Sequence, residues 1–277
     1  MTTRLVKSLV LLLALAAPVA AQQPAPQPLT FWYDYTVKPG KEADFTTLVK
    51  TLGAPVRDKL MAEGVVLAWA IEVPVLRQPG APTHTIWFAV NDMAGIEKVQ
   101  AAMTAQREKL AADEAAKKVA KGATTEDRIQ AVFDETKTRD WLTRDIVFNA
   151  AAKVPAGVQP YTRYNSVKVL PGKAGAYRQA WEKYNKPVLE KALAEGAIIA
   201  YGLGVEELKT TGSWTHFAWY MAKDLASLDK VRVLYNADRA GRSQDERDAI
   251  TAAFRELTDP DASRSMITRT TVFKWAE

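Results

Sequence analysis

The sequence predicts an α+β fold made of two tandem copies of one β-α-β-β-α-β unit. Two observations carry that prediction. Val37-Lys38-Pro39-Gly40-Lys41 returns as Val169-Leu170-Pro171-Gly172-Lys173, 132 positions later, and the register then holds without a gap for about sixty residues at about one-third identity. Within each copy, the hydrophobic period switches between the strand and helix values in the same order. A shared repeat of this length is a domain-sized unit and not a solenoid module.

The repeat is dense in matched pairs. Pro55-Val56 matches Pro187-Val188, Ala62-Glu63-Gly64 matches Ala194-Glu195-Gly196, and Lys98-Val99 matches Lys230-Val231. Thr83-His84 and Trp87 match Thr215-His216 and Trp219. Near the ends, Thr143-Arg144 and Val147-Phe148 match Thr268-Arg269 and Val272-Phe273 at a shift of 125, so the first copy carries about seven extra residues, placed in the Ala/Lys-rich stretch 111–124.

The elements follow in order. Residues 31–37 and 161–169 are rich in aromatic and β-branched side chains and end at Pro-Gly, as a strand closed by a turn does. Phe45, Leu48, Val49, Leu52 and Val56 then recur at helical steps, as do Tyr177, Trp181, Tyr184 and Val188. Pro55 and Pro187 fall inside these helices and predict a kink or a restart. Gly64 and Gly196 stand where a left-handed C-cap is needed. Two strands come next in each copy, 65–73 with 83–90 and 197–205 with 215–222, joined by loops containing Pro79-Gly80 and Thr211-Gly212. Helical patterns cover 94–120 and 125–137, then 225–237 and 244–257. A last strand closes each copy, at 142–148 and 266–273. This is the ferredoxin-like split arrangement, an antiparallel sheet with helices on one face. The uncovered faces are also apolar, since adjacent Trp87 and Phe88 point opposite ways. Packing the bare face of one copy on the other would close a pseudo-dimeric β structure.

The N-terminus predicts export. Arg4 and Lys7 precede an apolar run from Leu9 to Ala17, Pro18 breaks it, and Val19-Ala20-Ala21 presents small residues for cleavage after Ala21. The run is too short to span a bilayer, and nothing after it is apolar for long enough. Residues 22–28 form a Pro-rich leader, the first unit occupies 29–153 and the second 158–277. The expected location is periplasmic or secreted. Cysteine is absent, which excludes disulfides, thiol chemistry and a lipid anchor near the cut. Losing Arg4 and Lys7 lowers the net charge from +5 to about +3, which with export argues against nucleic acid as a partner.

No Gly-x-Ser-x-Gly, phosphate loop, His-Glu-x-x-His or calcium loop is present, and Gly202-Leu203-Gly204 lacks the third glycine of a dinucleotide fingerprint. The candidates are matched pairs. His84 and His216, the only histidines, could face a cleft as ligand, base or donor, or could stabilise a strand end. They are not expected to share a metal site, because symmetry separates them and nothing completes a ligand set. Arg144 and Arg269 could grip a ligand carboxylate, neutralise an acid such as Asp34, or sit at an exposed edge. Tyr33 and Asp34 align with Asn165 and Ser166, so pockets in the two copies need not be equivalent. Trp32, Tyr33, Trp69, Trp87, Tyr164, Tyr201 and Trp219 could line a pocket for a flat apolar ligand or build the core.

The unit, its tandem form and the x-Pro-Gly-Lys turn resemble the dimeric α+β barrel superfamily, and within it NIPSNAP-like proteins. The resemblance covers nearly the whole chain after residue 28. It implies pockets enclosed by sheet and helices, and a membership that includes cofactor-free monooxygenases, haem-degrading and haem enzymes, and proteins of unknown role. Haem is therefore a candidate cofactor by resemblance. Three functions follow as expectations: a binder of a small apolar or aromatic ligand, a monooxygenase-like or haem-handling enzyme, or a structural module without ligand.

Overall fold

The computed structural model describes residues 27–276, except residues 79, 118–123 and 211. The expected signal segment and most of the Pro-rich leader lie outside the described residues. Among the described residues no helix is long and apolar enough to cross a membrane.

Eight antiparallel strands close into a barrel. They are β1 Leu29–Tyr35, β2 Val66–Pro74, β3 His84–Val90, β4 Arg139–Ala150, β5 Tyr161–Val169, β6 Ile198–Glu206, β7 His216–Ala222 and β8 Thr258–Trp275. Around the barrel the order is β1-β3-β2-β8-β5-β7-β6-β4. Two four-stranded segments, β4-β1-β3-β2 and β8-β5-β7-β6, therefore join edge to edge through β2·β8 and β4·β6. The uncovered faces do look toward each other, but closure comes from backbone hydrogen bonds between edges. A barrel satisfies every edge that two stacked sheets would leave open.

Helices α1 Glu42–Leu48, α2 Ala54–Ala62, α3 Met93–Ala116 and α4 Thr125–Val132 belong to the first half of the chain. Helices α5 Ala174–Tyr184, α6 Lys186–Ala194, α7 Leu225–Ala240 and α8 Gln244–Leu257 belong to the second. The prolines act as expected. Pro55 and Pro187 stand in the first turns of α2 and α6, and a π-helical segment, Val49–Gly53, precedes Pro55, with Ala54 N–H reaching back to Val49 O. Gly64 and Gly196 terminate α2 and α6 at φ +72° and +66°, values costly for any side chain.

Three boundaries differ from the sequence pattern. The helix expected over 125–137 stops at Val132, because Phe133 turns extended and packs on Tyr35 at 5.0 Å; a short 3-10 turn, Glu135–Lys137, follows. The first strand starts at Leu29 and ends at Tyr35, leaving Val37 an isolated bridge to Phe133. Strands β4 and β8 overrun their expected spans at both ends, since their flanks are held by pairing: β4 with β1 at its start and β6 at its end, β8 with β5 at its start and β2 at its end.

Alternation divides every strand between two environments. Leu29, Trp69, Ile71, Phe88 and Leu142 face the first set of helices, and Tyr201, Leu203, Tyr220 and Val231 belong to the matching core of the second. A third cluster, with Trp32, Ala68, Ala70, Trp87, Tyr164, Phe217, Trp219 and Met221, lines the barrel interior.

Candidate functional site

The barrel interior is aromatic but carries buried acids, of which Glu72 and Asp145 each take a hydrogen bond from one of the matched tryptophans. Glu72 interrupts the apolar run of β2 and shares its face with Ala68 and Ala70, so alternation carries it inside. It is 1 % exposed and accepts from four side chains: Trp87 Nε1 at 2.9 Å, Tyr164 Oη at 3.0 Å, Thr268 Oγ1 at 2.7 Å and Thr162 Oγ1 at 3.4 Å. Burial raises its pKa, and these donors oppose that rise.

Asp145, on β4, is the less satisfied acid. Its Oδ1 accepts from Trp219 Nε1 at 2.9 Å, and no donor among the described residues reaches Oδ2. Burial pushes its pKa up to about 7, against the opposing pull of the Trp219 bond. The two acids are related by an exchange of strands. Trp87 and Trp219 are matched positions, yet Trp87 finds its carboxylate on β2 and Trp219 finds one on β4. Gly202 and Gly204 stand on β6 where β2 has Ala70 and Glu72. A Cβ at Gly202 would lie 2.6 Å from Trp219 Nε1, and one at Gly204 would lie 2.3 Å from Phe217 and 3.1 Å from Asp145 Oδ1. These glycines make room for the indole, the ring and the acid.

A cavity of about 320 Å³ opens between these groups. Trp32, Trp87, Trp219, Trp275, Phe148, Phe217 and Tyr164 wall it with Ala68, Ala89 and Met221, and Asp145 is the acid on its lining. Trp32 Nε1 is held by Thr143 Oγ1 at 2.9 Å, which fixes that ring. A larger groove of about 1200 Å³ lies between the chain following β2, the start of α1, the end of β1 and the Arg269–Thr271 part of β8. Its acid Asp34 is satisfied by Thr85, Arg139 and Trp141 at 2.7, 2.8 and 3.1 Å. The smaller cavity is the better candidate, because its lining is the more apolar and includes an acid with unused acceptor capacity.

The candidates from the sequence separate into distinct places. Trp87 and Trp219 border the barrel cavity. His84, Asp34 and Arg269 border the larger groove. Tyr33 faces the helices of the first half, packed on Phe31 at 4.8 Å, and burial raises its pKa. Arg144 makes a paired contact to Glu207, with Nε at 2.9 Å from Oε2 and Nη2 against Oε1, and does not meet Asp34. Of the remaining aromatics, Trp69 and Tyr201 pack toward helices, and Trp69 donates to Asp58 at 2.9 Å.

The histidines also face the helices. His84 packs on Phe45 at 4.7 Å and His216 on Tyr177 at 5.2 Å, and each Nδ1 lies 3.0 Å from the hydroxyl of the preceding threonine. Burial lowers both pKa values to about 4. Neither histidine borders the aromatic cavity, so these residues do not fit haem held there by histidine. Also on the helix side, Arg57 is buried with Nε and Nη1 lacking acceptors, its guanidinium 5.7 Å over Trp69.

Glu72 and Asp145 do not stand out in the sequence, because a lone acid on a strand reads as a solvent-facing residue. The available signals were alternation, which puts Glu72 with Ala68 and Ala70, and Gly202-x-Gly204, which inside a strand marks a close approach.

No family model matches the chain, and no curated protein matches it. Solved structures do. A "putative monooxygenase" from Fusobacterium nucleatum subsp. nucleatum aligns with TM-score 0.60 at 13% identity, covering 90% of this chain and 94% of that one. A "putative monooxygenase" from Lactobacillus acidophilus aligns with TM-score 0.57 at 9% identity, covering 90% and 97%. At these identities the likeness is one of fold: the chain has the dimeric α+β barrel fold.

Proposed function

We propose that the protein binds one small apolar or aromatic molecule inside the barrel, in the cavity walled by Trp87 and Trp219. The observation that carries this reading is the cavity of about 320 Å³ with Asp145 on its wall, its Oδ2 without a donor. A purely structural core would not leave an acid under-satisfied beside empty apolar volume, since both features lower stability. Native mass spectrometry beside the denatured mass tests it: a small adduct lost on denaturation, and absent from Ala68→Phe, is the expected result.

A monooxygenase-like enzyme is the second reading. It is favoured by the description of the two fold neighbours and by Asp145, an acid whose pKa near 7 suits it to accept a proton from a bound molecule. Turnover of the bound molecule with oxygen uptake that is lost in Asp145→Asn would select this reading over simple binding.

The proposal extends to origin and location. The repeat at 132 positions and the matching strand orders of the two halves support a duplicated ferredoxin-like unit, acting as a pseudo-dimer within one chain. The shared x-Pro-Gly-Lys turn supports NIPSNAP-like affinity within the superfamily. The basic, apolar and small-residue pattern of 1–21 supports export to a periplasm or beyond.

A further inference from the structure

We infer that the molecule held in the barrel is an organic ammonium ion, an apolar or aromatic body carrying a protonated primary or secondary amine, with its N–H directed at Asp145 Oδ2. This rests on the binding reading above and names the chemistry of its ligand.

The first argument is charge. Asp145 is 8 % exposed, and no Lys, Arg or His borders the cavity. Beyond Tyr164 stands another acid, Glu72, and not a cation. An uncompensated buried carboxylate is costly, and a cation seated beside it removes that cost. A neutral alcohol would leave the charge in place, and an anion would add to it.

The second argument is hydrogen-bond capacity. The indoles of Trp32, Trp87 and Trp219 and the Tyr164 hydroxyl already donate to Thr143, Glu72, Asp145 and Glu72. The Trp275 indole and Thr30 hydroxyl also line the cavity, but neither donates to Asp145, so a donor brought by the ligand can take Oδ2. The third argument is the wall itself, since indole and phenol rings attract cations through their faces and stabilise desolvated ammonium groups best.

The test is calorimetry at pH 8 with four probes of one shape: 2-phenylethylamine, 2-phenylethanol, 3-phenylpropionate and ethylbenzene. The expected order is amine first, tighter than the alcohol by about ten-fold or more, with the carboxylate not binding. Asp145→Asn should weaken the amine by about ten-fold or more and leave ethylbenzene unchanged, which also shows that the variant keeps its cavity. If the alcohol matches the amine, or Asp145→Asn binds the amine as tightly as the parent, the ammonium inference falls while the cavity stands on ethylbenzene. If none of the four binds, the cavity reading falls and takes this inference with it.

Discussion

Trp219 holds Asp145 by a single 2.9 Å hydrogen bond, whereas its counterpart Trp87 donates to an acid that three further side chains also reach. Trp219→Phe should therefore cost stability mainly when Asp145 is ionised. The expected loss is about 1–3 kcal/mol at pH 8 and less at pH 5, where the proton already serves the carboxyl. Urea unfolding at the two pH values measures the difference.

Gly202→Ala should push the Trp219 indole off Asp145, because the new methyl would stand 2.6 Å from Nε1. The ring sits in a crowded barrel, so we expect a loss of about 1–3 kcal/mol and a changed near-ultraviolet dichroism of tryptophan. Gly175→Ala, where nothing lies within 4 Å, is the control and should be neutral or mildly stabilising.

The pH dependence of stability has two opposing parts. His84 and His216 are held near pKa 4 when folded, below the ordinary 6.5, so the unfolded chain binds their protons more readily. Their contribution is complete above pH 6.5 and is lost as pH falls toward 4, at most on the order of 3 kcal/mol each. Asp145 behaves oppositely. Its folded pKa near 7 means that the folded chain keeps the proton, so stability declines as pH rises from the ordinary carboxylate range to about 7. Thermal unfolding from pH 4 to 8 should show a steeper acid loss in Asp145→Asn and a shallower one in His84→Gln or His216→Gln.

Separate halves, 29–153 and 158–277, should fail as monomers. Each would bare the interior face that holds Trp32 and Trp87, or Tyr164 and Trp219, and would lose the β2·β8 and β4·β6 pairings. Light scattering should find aggregates or homodimers from either half, and a one-to-one complex on co-expression. Two soluble monomers would contradict the closed barrel.

Much of this fold is legible in the sequence, and for identifiable reasons. The repeat sets the element order, the prolines at 55 and 187 mark where helices restart, and the glycines at 64 and 196 mark where they stop. Edge-to-edge closure is not legible, because strand pairing between distant segments leaves no local pattern; the exposed start of β8 is held by backbone pairing with β5 and by Ser265 Oγ donating to Asn165 Oδ1 at 2.7 Å. The site was half visible. Trp87 and Trp219 were among the candidates, but His84 lies three positions before Trp87, and an odd spacing on a strand puts the two on opposite faces. That parity already separated the histidines from the tryptophans.

Titration with ethylbenzene, read by tryptophan fluorescence, shows directly whether the barrel interior is a binding cavity. The parent protein should show saturable, one-to-one quenching, and Ala68→Phe, which fills the cavity beside Trp87, should abolish it with the fold intact by circular dichroism. An unsaturable response, or equal quenching in parent and variant, would leave the aromatic interior as core alone, with no binding cavity.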